Sequence, residues 1–505
     1  MLRLDTAFPS ASADNLRQEN GQVRFCACKG GGPVSMWWHL GVHSGVAGVV
    51  DFVWEQTEEV LGSGGLGAAV PVFNDGTGWR RVSARHCLYL PDRREFHFRV
   101  PCRVGLTQVA YCFPYGWERI EEFGREMAAT GLATLRQISS SAEGRPFELL
   151  EFGSGPVQVW VTARHHSGET PGAYVLEGMV REALRLPRLL RAASFHVAAA
   201  MDVDGVAEGL YGKDRGPRDF NRDYVSQPCR PEVAALRQAA EALGRVDLFL
   251  DLHAPAPGDC TFLVPTNEAL ATVEHWDRAW EFGQHLEALA PARCPARVAD
   301  LQRGALNWTA ENSMQTSTSD FYQRFGALSL CLETSYHRAW DGRLLQARDW
   351  IALGRALARA VAVQVGVRRA PDVTGIDKPP SLIPRFERWR CVHVPAGVAL
   401  RETATSLKIT GTGGKSSCWM IHEPCLRSGE AAFSYRLKGK VKSMVVTAKG
   451  FDPQGGSPTG DWVSMTLKPQ ASRSWQTVTV PSREPALLML RAEGLEGMLE
   501  VRVGE

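Results

Sequence analysis

Two histidines and a glutamate follow an apolar run in the segment 157–169, which reads VQVWVTARHHSGE. The alternating run predicts a half-buried strand. The polar residues would then lie beyond its carboxyl end, where open α/β sheets bind ligands. His166 and Glu169 are three residues apart, so both side chains can reach one ion at the start of a helix. Imidazole and carboxylate suit Zn²⁺, and a hydrolytic zinc site needs a third protein ligand and an open position for water.

His253 is the candidate third ligand. It ends the apolar strand predicted at Val246–Leu252, just before a Pro/Gly loop. Because strand side chains alternate, Asp251 points to the same side as His253 and can accept its spare imidazole N–H. His166, Glu169 and His253 together predict a site for one Zn²⁺ ion.

Glu333 is the candidate general base. It terminates the apolar strand predicted at 327–332. Burying an unpaired charge is costly, so an ionised group at this position indicates a functional or structural role. A carboxylate there could take a proton from water and deliver it to a leaving amine. A structural salt bridge is the alternative, and position in the sequence does not exclude it.

A basic, polar loop at 212–224 separates the ligand segments. Arginine offers a bidentate fork for a carboxylate, and asparagine adds a further donor. The loop therefore suits an anionic substrate group beside a zinc site. A solvated loop with local ion pairs is the other interpretation.

Length and composition favour several domains. With 505 residues and 44% apolar residues, the chain can build two or three cores. The net charge of +2 argues against a dedicated nucleic-acid binder, and no run of about eighteen apolar residues predicts a membrane span. The N-terminus lacks signal-peptide features and the 12 cysteines are scattered, so we expect reduced thiols and a cytoplasmic location.

The periodicity changes three times along the chain. Short strand-like runs within residues 1–116 predict an N-terminal β-sandwich. Strands then alternate with helices over 117–369, which predicts an α/β domain with a mixed, largely parallel sheet. Prolines in 370–384 indicate a linker, and 385–505 predicts a C-terminal β-sandwich whose tryptophans either pack in the core or stack on sugars.

Four short segments resemble, in order, the signature motifs of zinc metallocarboxypeptidases: HSGE at 166–169, DG at 204–205 with DFNR at 219–222, DLH at 251–253 and LET at 332–334. The Ala-Arg pair at 163–164 and the Phe-Pro-Tyr segment at 113–115 are similar to the cytosolic carboxypeptidase-like branch. Four motifs in register are specific.

The resemblance implies roles for particular residues. His166, Glu169 and His253 would bind zinc, Glu333 would be general base and then acid, and Asn221 and Arg222 would hold the peptide's terminal carboxylate. The oxyanion arginine of the family aligns with Gly212, so Lys213 or Arg215 would replace it. Tyr322 is the counterpart chosen for the family's tyrosine near the scissile bond.

We therefore predict a zinc metallocarboxypeptidase that releases the C-terminal residue of a peptide or protein with a free C-terminal carboxylate. Segment 316–320 is small and polar where deglutamylating relatives have a basic side chain, which argues against polyglutamate specificity. Two alternatives stay open: an amidohydrolase of N-acyl amino acids or cell-wall peptides, and a non-catalytic peptide- or sugar-binding protein. The oligomeric state is left open, and no nucleic-acid or membrane partner is expected.

Overall fold

The structure is a computed structural model that describes the chain from residue 2 to 503 apart from 267–272, 298–314, 375, 377–388, 394–397, 404–405, 413–416, 427–428, 451–462, 473 and 483–485. The described residues up to Ile376 form one compact unit, and those after it form a second. Most of the predicted linker 370–384 lies outside the described residues.

A seven-stranded mixed sheet lies at the centre of the first unit. Its strands are β11 (Ala133–Ser140), β12 (Pro146–Gly153), β13 (Val157–Ala163), β14 (Ala193–Ala198), β15 (Leu248–His253), β16 (Phe262–Pro265) and β17 (Leu328–Glu333). Their order is β11-β12-β14-β13-β15-β17-β16. The four neighbours β14, β13, β15 and β17 are parallel, whereas β11, β12 and β16 pair antiparallel. The sheet is mixed as predicted, and its parallel part is the central block.

Helices cover both faces of this sheet, as alternating strands and helices require. They are α1 (Trp117–Ala129), α2 (Thr170–Ala183), α3 (Pro187–Ala192), α4 (Val203–Glu208), α5 (Pro231–Leu243), α6 (Val273–Leu289), α7 (Ser317–Phe325) and α8 (Ala347–Gln364). Helix α4 is short, and the Asp202 side chain caps it by accepting a hydrogen bond from the Gly205 N–H. Gly178 of α2 and Gly354 of α8 let these two helices meet backbone to backbone.

The N-terminal β-rich region comprises residues 2–116 of the first unit. Its strands are β1 (Arg3–Asp5), β2 (Asp14–Glu19), β3 (Gln22–Cys26), β4 (His39–Ser44), β5 (Gly48–Glu55), β6 (Val72–Asn74), β7 (Arg80–Arg81), β8 (Cys87–Leu90), β9 (Glu95–Cys102) and β10 (Gly105–Ala110). They form two five-stranded sheets, β1-β4-β10-β6-β7 and β2-β3-β5-β9-β8. Phe25, Trp38, Trp54 and Phe98 are buried and contact one another, so these aromatic residues are core residues.

The second unit is also built of two five-stranded sheets. Its strands are β18 (Trp389–His393), β19 (Val398–Glu402), β20 (Leu407–Thr412), β21 (Ser417–Leu426), β22 (Gly429–Lys440), β23 (Ser443–Gly450), β24 (Val463–Leu467), β25 (Gln476–Ser482), β26 (Ala486–Glu493) and β27 (Glu496–Val503). The sheets are β18-β21-β26-β23-β24 and β19-β20-β27-β22-β25. Leu407, Phe433 and Leu499 of one sheet share a core with Met444 and Leu490 of the other.

Within the described part of the chain, no helix combines the length and the apolar character needed to cross a membrane. The nine cysteines of the first unit (Cys26, Cys28, Cys87, Cys102, Cys112, Cys229, Cys260, Cys294 and Cys331) are free thiols.

Candidate metal centre

The candidate ligands reach one place because three neighbouring parallel strands end there. The loop after β13 carries His166 and Glu169, and Glu169 immediately precedes α2. His253 ends β15 and Glu333 ends β17, and the register of these two strands sets His253 directly beside Glu333. The site therefore lies at the carboxyl edge of the parallel block, where open α/β sheets bind ligands.

The three candidate ligands converge closely. Ligand atoms of His166, Glu169 and His253 all lie within 4.8 Å of one another, and all three residues are buried. Nδ1 of His166 lies 2.7 Å from Oε1 of Glu169, and Nδ1 of His253 lies 2.7 Å from Oε2. Both imidazoles thus turn the same nitrogen toward one carboxylate.

The donor set fits a zinc ion. The remaining nitrogen of each imidazole faces a carboxylate: His166 Nε2 lies 3.1 Å from Asp219, and His253 Nε2 lies 2.9 Å from Asp251. A carboxylate there accepts the Nε2 proton and leaves the Nδ1 lone pair for a metal, a common arrangement around zinc-binding histidines. The predicted contact between Asp251 and the spare nitrogen of His253 is confirmed.

Asp251 is a buried hub beneath the candidate ligands. Besides His253, it accepts hydrogen bonds from the hydroxyls of Thr162 and Ser317 at 2.8 and 2.6 Å, and His165 Nδ1 lies 2.9 Å from it. Burial alone would raise the pKa of Asp251, but the positive charges of His165 and His253 and the hydrogen bonds with them hold this pKa well below its usual range. His165 therefore holds the Asp251 carboxylate that orients His253. No role was predicted for His165, although its position next to His166 in the sequence could have indicated one.

Glu333 is a buried carboxyl group with a raised pKa. It is 7% exposed, and its Oε2 has no hydrogen-bond partner among the described residues. Burial raises the pKa of Glu333 to about 7, against the lowering influence of the positive charges of His253 and Lys213. Such a carboxyl group can both accept and return a proton near neutral pH.

The two candidate cations have different surroundings. Arg215 forms an ion pair with buried Asp202, which gives its guanidinium a structural partner. Lys213 Nζ lies 3.9 Å from Oδ1 of Asp214, which is a long distance for an ion pair. Its positive charge lowers the pKa of the candidate base Glu333. Gly212 has a left-handed φ of 85°, and a Cβ there would lie 2.5 Å from Ser167 Oγ. This close packing leaves no room for a side chain at the position where the family arginine aligns.

The candidate substrate residues lie on the same loop. Asn221 is buried: its Oδ1 accepts a hydrogen bond from the Ser317 N–H at 2.9 Å, and its Nδ2 lies 3.3 Å from Asp251. Arg222 is half-buried and donates to the Asn221 carbonyl at 2.8 Å, and its positive charge reaches Asp219. The Asn221 side chain therefore supports Asp251, which contacts the candidate ligand His253. Arg222 is the candidate of the two for pairing with a substrate anion.

Tyr322 lies in α7, with its ring edge-on to that of His275 of α6 at 4.5 Å. Two other tyrosines contact the site. Tyr224 Oη lies 2.8 Å from His165 Nε2, and Tyr336 Oη donates to the Gly168 carbonyl at 3.4 Å. Both are buried and act as supports for the ligand loop.

Arg164 and Arg230 brace the loops that carry the site. Arg164 adopts a left-handed φ of 59° and donates to the carbonyls of Ser167 and Tyr115. Arg230 donates to carbonyls along the first half of the 212–224 loop. The carbonyls of these loops are not paired in helices or strands, so the two buried guanidinium groups supply their hydrogen bonds instead. Neither role was predicted.

The N-terminal β-rich region packs directly on three site loops. A Cβ at Gly168 would lie 2.8 Å from Trp37 Cβ, and one at Gly32 would lie 2.6 Å from the Lys213 carbonyl. Beyond His253, a Cβ at Gly65 would lie 2.6 Å from the Gly258 nitrogen. Glycines therefore allow backbone-level contact between this region and the loops.

Comparison with known proteins agrees with this geometry. Residues 120–257 match the zinc carboxypeptidase family model. Cytosolic carboxypeptidase 6 of Mus musculus is 24% identical over 204 residues, covering 35% of this chain and 38% of that protein. Cytosolic carboxypeptidase 2 of Danio rerio is 28% identical over 224 residues, covering 38% and 31%. The match thus spans well under half the length of these curated relatives.

The fold is also shared with a solved structure. The metallo-carboxypeptidase from Burkholderia cenocepacia superposes with a TM-score of 0.64 at 20% identity, covering 72% of this chain and 98% of that one. At this identity the likeness concerns the fold. Residues 120–257 therefore match the zinc carboxypeptidase family, and part of the chain is similar to the cytosolic carboxypeptidases, which confirms the resemblance inferred from the four motifs.

Proposed function

We propose that the protein is a zinc-dependent metallocarboxypeptidase that releases the C-terminal residue of a peptide or protein. The observation that carries this proposal is the convergence of His166, Glu169 and His253 beside the buried Glu333. The family match supports a hydrolase with zinc as its cofactor.

His166, Glu169 and His253 would hold a single zinc ion. When bound, zinc would polarise the scissile carbonyl and lower the pKa of water at the open position. Asp219 and Asp251 would keep the two imidazoles in the tautomer that presents Nδ1.

Glu333 would take a proton from the attacking water and then deliver it to the leaving amine nitrogen. Its pKa, raised to about 7 by burial, suits both halves of this transfer. Lys213 would stabilise the negative charge on the carbonyl oxygen, since Arg215 is paired with Asp202. Arg222, with Asn221 behind it, would bind the terminal carboxylate as a charge-assisted pair.

Mass spectrometry of a peptide mixture tests the reaction, with the wild type and Glu333→Gln each assayed with and without chelator. The wild type should release C-terminal residues, and the chelator should abolish release. Glu333→Gln should retain zinc, measured by metal analysis, while losing at least about a thousandfold in turnover. Wild-type protein that binds zinc but cleaves neither free-carboxylate peptides nor N-acyl amino acids would reject an enzymatic role.

The remaining properties are proposed on narrower grounds. Each β-rich region would be a β-sandwich, because each contributes two five-stranded sheets. A cytoplasmic location is supported by the cytosolic relatives. Tyr322 stays the proposed tyrosine near the scissile bond on the family resemblance alone, and its ring lies edge-on to that of His275.

A further inference from the structure

The carboxylate of Glu333 is held by little besides its own backbone. Its Oε2 has no hydrogen-bond partner among the described residues, and its Oε1 has a long contact of 3.9 Å with the Cys331 thiol. Such a carboxylate takes its position from the strand that carries it and from the residues that follow. Strand β17 ends at Glu333, so residues 334–337 control that end of the strand. We call these four residues the anchor segment.

The first two residues of the anchor segment are fixed by the α/β part of the first unit. The Thr334 N–H donates to the His253 carbonyl at 2.9 Å. The Ser335 N–H donates to the Thr261 hydroxyl at 3.2 Å, and its carbonyl accepts a hydrogen bond from the Trp350 indole N–H at 3.1 Å. These contacts join the start of the segment to a candidate zinc ligand and to α8.

The last two residues of the anchor segment are held from the N-terminal β-rich region. Nη2 of Arg81, on β7, donates to the Tyr336 carbonyl at 2.6 Å, and Nη1 lies 3.0 Å from His337 Nδ1. The same guanidinium donates to the carbonyls of Val70 and Leu345 at 2.7 and 3.0 Å. One side chain therefore fastens the anchor segment to the N-terminal region.

Arg81 makes these contacts without an ion pair. Its hydrogen bonds go to three carbonyl oxygens and an imidazole nitrogen, and no carboxylate in the described part of the chain pairs with it. Burial and the positive charges of Arg81 and Arg338 hold the pKa of His337 well below its usual range, so Nδ1 stays available as an acceptor. The planar, forked guanidinium fixes several acceptors in one arrangement, which a lysine ammonium does not do.

We propose that Arg81 is a positioning residue for Glu333, an inference that rests on the proposed carboxypeptidase function. Arg81 contacts no reacting group and acts through the backbone of Tyr336 and the rest of the anchor segment. A misplacement of about 1 Å in a reacting group can cost about a hundredfold in rate. Because Glu333 lacks other restraints, the N-terminal region would contribute to catalysis by holding the general base in place.

Kinetics of Arg81→Met and Arg81→Lys in the full chain test the proposal, with a peptide that the wild type hydrolyses. Arg81→Met removes every donor, so kcat should fall about tenfold to a hundredfold, while KM stays within about twofold and the zinc content is unchanged. Arg81→Lys keeps the charge and part of the hydrogen bonds, so it should fold and show an intermediate kcat. Hydrogen exchange measured by mass spectrometry should be faster over residues 333–337 in both variants.

Arg338→Met is the matched control. Arg338 also reaches the N-terminal region, but its side chain donates to the carbonyls of Ala68 and Gly342 at 3.1 and 2.9 Å rather than to the anchor segment. This variant should lose melting temperature and keep kcat within about twofold. Wild-type kcat in either folded Arg81 variant, or an equal loss of kcat in Arg338→Met, would overturn the proposal.

The exchange measurement separates this inference from the proposed function. A wild type that hydrolyses no peptide would reject the peptidase activity, and hydrogen exchange would then decide the positioning role by itself. Faster exchange over residues 333–337 in the Arg81 variants, but not in Arg338→Met, would support that role. Unchanged exchange in both Arg81 variants would overturn it.

Discussion

Removing Arg230 tests whether one side chain holds the loop that carries the candidate substrate and oxyanion residues. Its Nη2 donates to the carbonyls of Arg215, Gly216 and Arg218 at 2.9, 2.7 and 2.7 Å, and its Nε donates to Arg218 at 2.9 Å. The guanidinium also lies 4.4 Å from the ring centre of Phe220. Arg230→Met keeps the apolar stem against that ring but removes every donor.

The expected cost follows from the number of carbonyls released. A hydrogen bond contributes about 1 kcal/mol net, and three carbonyl groups lose their donor. The free energy of unfolding of the first unit should therefore fall by about 3 kcal/mol. For a unit of this size the melting temperature should fall by roughly 5 °C. Because Lys213 and Arg222 lie on the same loop, kcat/KM should fall as well.

Calorimetry and limited proteolysis measure the two consequences, and cleavage should appear first within residues 212–224. Arg218→Met is the matched control, since Arg218 is exposed and its guanidinium forms an ion pair with Asp223. That variant should lose less stability than Arg230→Met, because Asp223 keeps its hydrogen bonds from the backbone N–H groups of Cys229 and Arg230. An unchanged melting temperature and cleavage pattern in Arg230→Met, or an equal loss in Arg218→Met, would refute the reasoning.

Three further predictions concern single carboxylates and the candidate cation. Asp219→Asn should weaken zinc affinity about tenfold to a hundredfold in a chelator competition, because His166 loses the acceptor that orients it; unchanged affinity would contradict this role. Lys213→Met should lower kcat about a hundredfold or more, with Lys213→Arg partly active. A purely structural loop lysine would instead affect melting temperature and leave kcat intact. Burial raises the pKa of Glu232 to about 7 from 4.5, so the folded protein holds this proton more tightly and loses stability as pH rises between these values. Glu232→Gln should therefore match the wild type near pH 4.5 and exceed it by about 3 kcal/mol above pH 7 in thermal melts; no pH dependence of the difference would count against it.

The site could be anticipated because its residues stand at strand ends. Alternation aligned Asp251 with His253, and parallel strands bring their carboxyl ends to one edge. The convergence of His166, Glu169 and His253 follows from these two rules. Zinc binding itself stays a prediction.

Other features depend on tertiary contacts that a linear pattern does not contain. Strand β11 is polar and largely exposed at the sheet edge, and β16 has only four residues, so neither shows a clear period. Helix α4 has six residues and depends on a cap from Asp202. Asp202 also forms an ion pair with Arg215. Because this contact forms only in the folded chain, the sequence alone could not distinguish Arg215 from Lys213 as the candidate cation.

The contacts at Gly32, Gly65 and Trp37 have a consequence for how the surroundings of the candidate site could change. The candidate ligands and Glu333 all lie at strand ends of the α/β sheet or just beyond them, whereas the loops around them pack against the N-terminal β-rich region. Substitutions at these contacts can therefore shift the loops around the candidate site while the ligand residues themselves stay unchanged.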